Sequence, residues 1–246
     1  MLSRESSRSE WKQHIYDSYG SLFGVSVDLS QYAKFVPYGR HIIRKCFPKN
    51  KQSRILELGC GIGGFLKVFD EAGYSNIQGV DISREQVALA KAAGLSQVTN
   101  GDIFDTLSVN GDQNLDVVLL LDVLEHFERG DTVQILAEAY RVLRSGGRLI
   151  LHLPNAEGIF GSKIRYADYT HEMAYTDSSI SQLLRYSGFI SINCYEDQPI
   201  IHGFTSLIRR CLWVALTIPF RLLHAAETGT FEIKLSQNIL VVGQKA

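Results

Sequence analysis

Short apolar segments alternate with longer amphipathic segments through the middle of the chain. The apolar segments predict β-strands at about 54–58, 76–81, 97–100, 115–121 and 148–153. Between them, apolar residues recur at helical spacing at about 62–73, 84–93 and 131–143. Strands that alternate with helices favour a parallel sheet with right-handed crossover connections. The pattern therefore predicts an α/β fold.

Both ends of the chain depart from this alternation. The first fifty residues combine aromatic and basic side chains with glycine breaks, which favours two or three helices lying over the ligand-binding end of the sheet. Toward the C-terminus we predict a helix at 180–186, a strand up to about 195 and a last strand at 238–242. The predicted units are a helical cap, a core, a helical insertion between the last two strands, and the final core strand: 1–50, 51–196, 197–236 and 237–246.

The insertion carries an uncharged, mostly apolar run from Cys211 to Phe220, with Arg209 and Arg210 before it and Arg221 after it. The run is too short to cross a bilayer, which needs about 20 residues. Two interpretations remain open. The segment 205–224 lies on a membrane surface as an interfacial helix, or its apolar face packs against the core or a second copy in a homodimer. We favour packing, because an exposed apolar run promotes aggregation.

Composition and charge limit the classes of binding partner and indicate the cellular compartment. With 25 basic and 26 acidic residues the net charge is −1, so no global field attracts nucleic acid, and we expect no nucleic-acid partner. The four cysteines are scattered without a C-x-x-C pair, so we predict no metal site and no disulfide framework. Reduced cysteines and an N-terminal segment without the apolar core of a signal peptide both favour the cytoplasm.

A glycine-rich loop follows the first predicted strand, and an acidic residue ends the second. The loop spans 59–64 and contains four glycines, and Asp81 closes the second strand. Glycines let the backbone turn sharply and approach a ligand, while the next helix directs its N-terminus at that ligand. An acid at the end of the second strand is placed to bind a ribose diol. The glycine spacing also satisfies the dinucleotide fingerprint, so two cofactor classes remain open.

Glu57 separates the two classes. It lies two residues before Gly59, where a dinucleotide would bring its pyrophosphate. Like charges a few Å apart repel by several kcal/mol at an effective dielectric constant of about 20. The carboxylate instead suits S-adenosylmethionine, which has an ammonium and a sulfonium and no phosphate. The motif Glu57-x-Gly59-x-Gly61-x-Gly63 resembles the first motif of class I S-adenosylmethionine-dependent methyltransferases.

The resemblance continues in order over residues 54–155. It implies that Asp81 binds the ribose, that Asp102 takes the adenine amine, and that neighbouring apolar residues contact the ring. The resemblance implies a Rossmann-like class I methyltransferase fold: a seven-stranded, mostly parallel sheet with an antiparallel last strand and helices on both faces. The residues expected to bind the cofactor are Glu57, Gly59, Gly61, Gly63, Asp81, Ile82, Asp102, Ile103 and Leu121.

Three histidines lie near the expected site. A hydroxyl acceptor benefits from a general base, most often histidine. His126 follows the fourth strand, and His171 lies in a polar loop beyond the fifth, with Asp168 or Glu172 as an orienting carboxylate. His152 stands within an apolar run, so we expect it to be buried and hydrogen-bonded. We predict His171 or His126 as the base, supported by Asp168.

The loop around His171 is similar to that of methyltransferases encoded with enzymes of lipopolysaccharide O-antigen and other surface-glycan synthesis. The matching residues are Arg165, Tyr166, Asp168, Thr170, His171, Glu172, Gly188 and Phe189. Polar and aromatic side chains at this density suit a hydroxyl-rich ring. We therefore predict an S-adenosylmethionine-dependent O-methyltransferase acting on a sugar or glycan intermediate.

Alternatives to this function remain open. One is a methyltransferase for another small molecule, such as a quinone precursor or a natural-product scaffold. Another is a partner subunit that binds the cofactor without catalysis. A nucleotide-sugar dehydrogenase or reductase is disfavoured by Glu57 and by the absence of a Tyr-x-x-x-Lys pair.

Overall fold

A computed structural model describes residues 11–12, 14–22, 24 and 29–246. The predicted N-terminal cap therefore lies partly outside the described residues. Its described part is helical at 11–12 and 14–17, and continues in α1 (Tyr19–Leu22), α2 (Leu29–Tyr32) and α3 (Val36–Cys46).

A seven-stranded sheet follows. Its strands in chain order are β1 (Ile55–Leu58), β2 (Ile77–Asp81), β3 (Val98–Asn100), β4 (Leu115–Leu121), β5 (Leu143–Pro154), β6 (Phe189–Glu196) and β7 (Asn238–Lys245). The spatial order is β3-β2-β1-β4-β5-β7-β6. The first five strands pair in parallel, and β7 is antiparallel to both β5 and β6. The predicted α/β fold with an antiparallel last strand is confirmed.

The remaining helices connect these strands. They are α4 (Gly64–Glu71), α5 (Arg84–Ala92), α6 (Ile103–Val109), α7 (Arg129–Val142), α8 (Gly161–Arg165), α9 (Asp177–Tyr186) and α10 (Phe204–Thr228). A 3₁₀ turn, Leu124–His126, follows β4. The sequence pattern did not predict α6 and α8, which are short. Helix α6 depends on a local cap, because the Asp102 carboxylate accepts the backbone N–H of Phe104 at 2.7 Å.

Strand β4 shows why the central strands are apolar throughout. Every residue of β4 is buried, and its side chains alternate between the two faces of the sheet. Val118 and Leu120 pack into one hydrophobic cluster, while Val117 and Leu119 pack into the other. A sheet covered on both faces needs apolar residues at every position. Parallel pairing also brings the carboxyl ends of β1, β2, β4 and β5 to one edge, where the candidate site lies.

Helix α10 corrects one expectation about the insertion. The apolar run does not pack against the core: Leu216 is 67 % exposed and Ile218 is 50 % exposed. Only Ser206 and Thr217 of this helix are buried, so the face that meets the protein is polar. The helix continues past Pro219, which lies inside it. Within the described part of the chain, no helix has both the length and the apolar character to cross a membrane.

Candidate functional site

A cavity of about 1360 Å³ opens at the carboxyl edge of the parallel strands. It is bounded by the loop after β1, the ends of β2 and β4, and described residues of the N-terminal cap. Nine of the predicted site residues line it: Glu57, Gly59, Gly61, Asp81, Ile82, Asp102, Ile103, Leu121 and His126. Gly63, Asp168 and His171 are not among its lining residues. The cofactor motifs, which are far apart in the sequence, therefore meet at one cavity.

The glycine loop turns through the left-handed backbone region. Gly59, Gly61 and Gly63 have φ of 71°, 54° and 73°, which L-residues rarely adopt. A Cβ at Gly59 would also lie 2.4 Å from Val123 Cγ2. Gly63 precedes α4, and a Cβ there would lie 2.6 Å from Leu95 Cδ1. Gly59 and Gly61 thus shape the cavity wall, while Gly63 allows the turn into the helix.

Glu57 is a buried carboxyl group in the wall of the cavity. It is 2 % exposed, and its Oε2 has no hydrogen-bond partner within the described structure. Burial, and to a smaller extent the negative charge of Asp81, raise the pKa of Glu57 to about 8. A buried carboxyl without a partner is costly. An ammonium group entering the cavity would supply the missing donor and charge, so this residue fits the amino acid portion of S-adenosylmethionine.

Asp81 is held in a fixed orientation at the end of β2. Its Oδ2 accepts the Gly61 N–H at 2.7 Å, and its Oδ1 accepts the Ser83 N–H at 2.8 Å. Burial raises the pKa of Asp81, and these two backbone donors partly offset that effect. Each carboxylate oxygen can accept a further hydrogen bond. The side chain can therefore bind a ribose diol without reorienting.

Asp102 has a second, structural task. Besides Phe104, its carboxylate accepts the Asp105 N–H at 3.3 Å and so caps α6. The cap orients the carboxylate at the cavity wall. Ile82 and Ile103 supply apolar surface beside it. An acid between two apolar residues suits a flat heteroaromatic ring with an exocyclic amine.

His126 is the histidine that lines the cavity, and a chain of polar groups orients it. Its Nδ1 lies 2.7 Å from Thr170 Oγ1. The Thr170 hydroxyl donates its only hydrogen to Asp168 Oδ1 at 2.7 Å, so His126 must donate Nδ1–H to the hydroxyl. Asp168 in turn accepts the Tyr19 hydroxyl at 2.9 Å. The Asp168–Thr170–His126 chain leaves Nε2 of the neutral imidazole as a proton acceptor.

The pKa of His126 is consistent with that role. Burial, followed by the neighbouring His171, lowers the pKa of His126 to about 4. The imidazole is therefore neutral at physiological pH. Lys12 donates to the backbone oxygen of His126 at 3.1 Å, which ties the residue to the N-terminal cap.

His171 lies behind His126 and outside the cavity wall. The two rings meet edge to face, with centroids 4.6 Å apart. His171 Nδ1 lies 3.0 Å from the Ile164 carbonyl oxygen, which fixes Nδ1–H as the donor. Its Nε2 lies 3.9 Å from Glu125 Oε1. The predicted support of Asp168 thus reaches His126 through Thr170, and no direct contact joins Asp168 to the His171 ring among the described hydrogen bonds.

Glu125, His126 and His171 form a compact group of metal-ligating side chains. One ligand atom of each lies within 4.8 Å of the others. Glu125 is 1 % exposed, and burial, followed by the charge of Asp122, raises its pKa well above the ordinary value. Its Oε2 has no hydrogen-bond partner within the described structure. Cysteine spacing could not predict this group, because it contains no cysteine and because His171 joins the adjacent Glu125 and His126 only in the fold.

His152 is buried and hydrogen-bonded, as expected. Its Nδ1 lies 2.6 Å from Asp122 Oδ1, and its Nε2 lies 3.2 Å from Asp197 Oδ2. Burial disfavours the imidazolium, but the two carboxylates outweigh it and raise the pKa of His152 well above 6.5. The ion pair holds Asp122, whose φ of 56° is unusual for a non-glycine residue. His152 therefore fixes the backbone at the end of β4, beside the cavity.

The open end of the cavity is aromatic and polar. Trp11 and Tyr169 meet edge to face with centroids 5.6 Å apart. Lys12 forms an ion pair with Glu172 at 2.7 Å. Tyr16 also lines the cavity. The aromatic cap was expected over this end of the sheet, but its contact with the loop around 165–172 could not be predicted, because the contacting residues are more than 150 positions apart in the sequence.

Comparison with known proteins identifies the core. Residues 56–151 match the family described as "Methyltransferase domain". Ajmaline N-methyltransferase of Rauvolfia serpentina is 33 % identical over 109 residues, which cover 42 % of this chain and 37 % of that protein. The matched region thus spans little more than a third of the length of this curated relative.

Two solved structures resemble the whole fold. An S-adenosylmethionine-dependent methyltransferase from Archaeoglobus fulgidus aligns with a TM-score of 0.65 at 19 % identity, covering 94 % of this chain and 99 % of the other. Phosphoethanolamine N-methyltransferase 2 of Haemonchus contortus, in complex with S-adenosyl-L-methionine, aligns with a TM-score of 0.61 at 16 % identity, covering 94 % and 60 %. Residues 56–151 thus match a methyltransferase domain, and the described chain shares the fold of these S-adenosylmethionine-dependent methyltransferases.

Proposed function

We propose that this protein transfers a methyl group from S-adenosylmethionine to a hydroxyl group of a sugar or glycan intermediate. One observation carries the proposal. A neutral histidine, His126, stands in the wall of the cofactor cavity and is oriented through Thr170 and Asp168. A proton acceptor fixed in this way suits an acceptor whose hydroxyl must lose its proton.

The residues of the cofactor half bind and orient. Glu57 takes the ammonium, Asp81 the ribose diol and Asp102 the adenine amine, with Ile82 and Ile103 against the ring. The cofactor supplies a methyl group on a sulfonium that leaves as a neutral thioether. Alignment of the acceptor oxygen with that methyl group is therefore the main requirement on the protein.

His126 removes the acceptor proton. As the oxygen–carbon bond forms, the attacking hydroxyl becomes a strongly acidic oxonium, and its proton passes to His126 Nε2. A base with a pKa of about 4 is sufficient for such an acid. The Nδ1–H bond to Thr170 keeps Nε2 directed to the acceptor as the imidazolium forms. His171 and Glu125 stand behind this ring and limit its rotation.

The aromatic rim suits a carbohydrate ring. Trp11 and Tyr169 offer flat apolar faces, while Lys12 and Glu172 offer hydrogen-bonding groups at the ring edges. Tyr169 is 88 % exposed, so its contact with an acceptor would bury a large apolar surface. A hydroxyl-rich ring with apolar faces matches both types of contact.

A second candidate is methylation of an amine or another natural-product scaffold, and the similarity to ajmaline N-methyltransferase favours it. A neutral amine attacks the methyl group through its free lone pair, so the rate of such a reaction depends less on a base. The effect of replacing His126 therefore discriminates between the two acceptor classes.

The test is a methylation assay on purified protein with S-adenosylmethionine and two acceptor panels, nucleotide sugars and lipid-linked sugars in one and alkaloid amines and phenols in the other. Mass spectrometry detects the methylated product. We expect a sugar methyl ether, and we expect His126→Ala to abolish most of the turnover while the matched His202→Ala retains it. Turnover of amines alone, insensitive to His126→Ala, would refute the proposal.

A further inference from the structure

Helix α10 has the reverse of the usual amphipathic arrangement. The positions that are shielded from solvent recur at spacings of three and four residues and so form one helical stripe. This stripe is largely polar, and it consists of Ser206, Arg210, Trp213, Thr217, Arg221, His224 and Ala225. Arg221 attaches the helix to the core, because it donates to the Ile233 carbonyl at 2.8 Å and pairs with Glu196 at 2.7 Å.

The opposite stripe is apolar and faces solvent along the whole helix. Phe204 is 78 % exposed near one end, and Leu223 is 69 % exposed near the other. The exposed apolar residues between them are Leu207, Ile208, Leu212, Val214, Leu216, Ile218, Phe220 and Leu222. A helix of 25 residues is about 37 Å long. An apolar stripe of that length exceeds what monomers in water usually expose, and it marks an interaction surface.

A basic pocket lies beside the N-terminal half of α10. It has a volume of about 540 Å³ and includes Arg44 and Lys45 of α3 together with Arg210 of α10. Glu196 also lines it but pairs with Arg221, and Lys45 Nζ lies 3.6 Å from the centroid of the Tyr195 ring. Among the described ion pairs, none joins Arg44, Lys45 or Arg210 to a carboxylate. Exposed Ile201 lines the same pocket. Three cations without a carboxylate partner, next to an apolar stripe, can receive an anionic group at an apolar boundary.

We propose that the outward face of α10 and this basic pocket form one docking surface for an anionic lipid bilayer. The helix lies in the plane of the interface with its apolar stripe in the acyl region, and Arg44, Lys45 and Arg210 contact lipid phosphates. An apolar stripe combined with basic residues is the composition of interfacial helices. The surface is separate from the cofactor cavity, so the proposal is independent of the acceptor.

Charge favours a lipid surface over a second copy of the chain. A two-fold symmetric contact through α10 would bring the same helix against itself. Glu227 is the only acidic residue of α10, whereas Arg209 and Arg210 on the helix, together with Arg44 and Lys45, are basic. Self-association would thus leave most of these cations without an opposite charge, while an anionic bilayer neutralises all of them.

Liposome flotation of the full chain tests the surface. The vesicles are phosphatidylcholine alone, or phosphatidylcholine mixed with phosphatidylglycerol. We expect flotation with the mixed vesicles, loss of flotation at about 1 M salt, where the Debye length falls to about 3 Å, and little flotation with phosphatidylcholine alone.

Two pairs of variants separate the apolar and the basic contributions. Leu216→Glu places a charge in the apolar stripe and should abolish flotation, while Val109→Glu, at the exposed end of α6, should not change it. The double variant of Arg44→Ala and Arg210→Ala should weaken binding by about five-fold for each arginine removed, which corresponds to ~1 kcal/mol each. Lys91→Ala is the matched control. S-adenosylhomocysteine binding and thermal melting confirm that every variant is folded.

Three results would overturn the proposal. Flotation that survives Leu216→Glu would mean that α10 is not the contact. Equal flotation with neutral and anionic vesicles would remove the role of the basic pocket. Absence of flotation, combined with a dimer that Leu216→Glu splits in analytical ultracentrifugation, would assign the same face to a second copy.

Discussion

Replacing Glu57 by Gln tests how the cofactor is recognised. The wild-type carboxyl is buried, has a pKa of about 8, and carries one oxygen without a hydrogen-bond partner within the described structure. Glutamine keeps nearly the same shape but cannot become an anion. The variant therefore removes the charge that the ammonium of the cofactor would meet and leaves the cavity wall in place.

The magnitude follows from the pKa. At pH 7 a carboxyl with a pKa of about 8 is about 90 % protonated, while the amine of S-adenosylhomocysteine is largely charged. Formation of the ion pair must then expel about 0.9 proton from Glu57. Because binding requires the ionised carboxyl, affinity should rise as the pH increases from 6 toward 8. A charged hydrogen bond is worth about 1.5–3 kcal/mol, so Glu57→Gln should weaken binding about ten-fold to over a hundred-fold.

Calorimetry in buffers of different ionisation enthalpy measures both the affinity and the number of protons released on binding. We expect wild-type protein to release nearly one proton on binding S-adenosylhomocysteine and Glu57→Gln to release almost none. Glu71→Gln, at an exposed position of α4, is the matched control and should behave like the wild type. Equal proton release by wild type and Glu57→Gln would refute the reasoning, and tight NAD binding without an S-adenosylhomocysteine signal would refute the cofactor assignment.

Three further predictions concern the same cavity. Asp81→Ala should weaken S-adenosylhomocysteine binding about ten-fold to over a hundred-fold, because charged hydrogen bonds to the ribose are lost. Calorimetry measures the affinity, with Asp70→Ala as the control, and an unchanged affinity would exclude a ribose contact. His126→Ala should lower kcat by ~10²–10⁴ at constant cofactor affinity. Because the pKa of His126 is about 4, wild-type kcat should stay level from pH 8 to pH 6 and fall only toward pH 4. A fall in kcat centred near pH 6.5 would contradict the buried environment of His126. A chelator should leave activity unchanged, because no metal site is predicted; loss of activity that Mg²⁺ or Mn²⁺ restores would contradict this and would assign an ion to Glu125, His126 and His171.

The order of the strands and of the longer helices, and which residues line the cavity at the ends of β1, β2 and β4, could be predicted from the sequence. The strand, glycine loop and helix that carry Glu57 are contiguous, and the acid at Asp81 follows within thirty residues. Parallel pairing then places the ends of β1, β2 and β4 at one edge, whatever the details of packing. Residues whose position follows from a strand end can be assigned without a tertiary structure.

The orientation of His126 could not be predicted in this way. His126 and Thr170 are 44 residues apart, and the sequence contains no sign that they touch. His126 and His171 were equivalent candidates in the sequence, but burial and hydrogen bonding separate them. Only the packing of the loop around Asp168 onto the 3₁₀ turn after β4 determines which ring lines the cavity.

The direction of the apolar face of helix α10 could not be predicted from the sequence either. The sequence contains a long apolar run between arginines, and that composition is compatible with a buried helix or an interfacial one. The direction of the apolar face depends on what holds the helix, and here Arg221 binds Glu196 and the Ile233 carbonyl on the inward side. An arginine must satisfy its charge and its N–H donors wherever it is shielded from water. The apolar face is consequently turned outward, a result that only the tertiary structure decides.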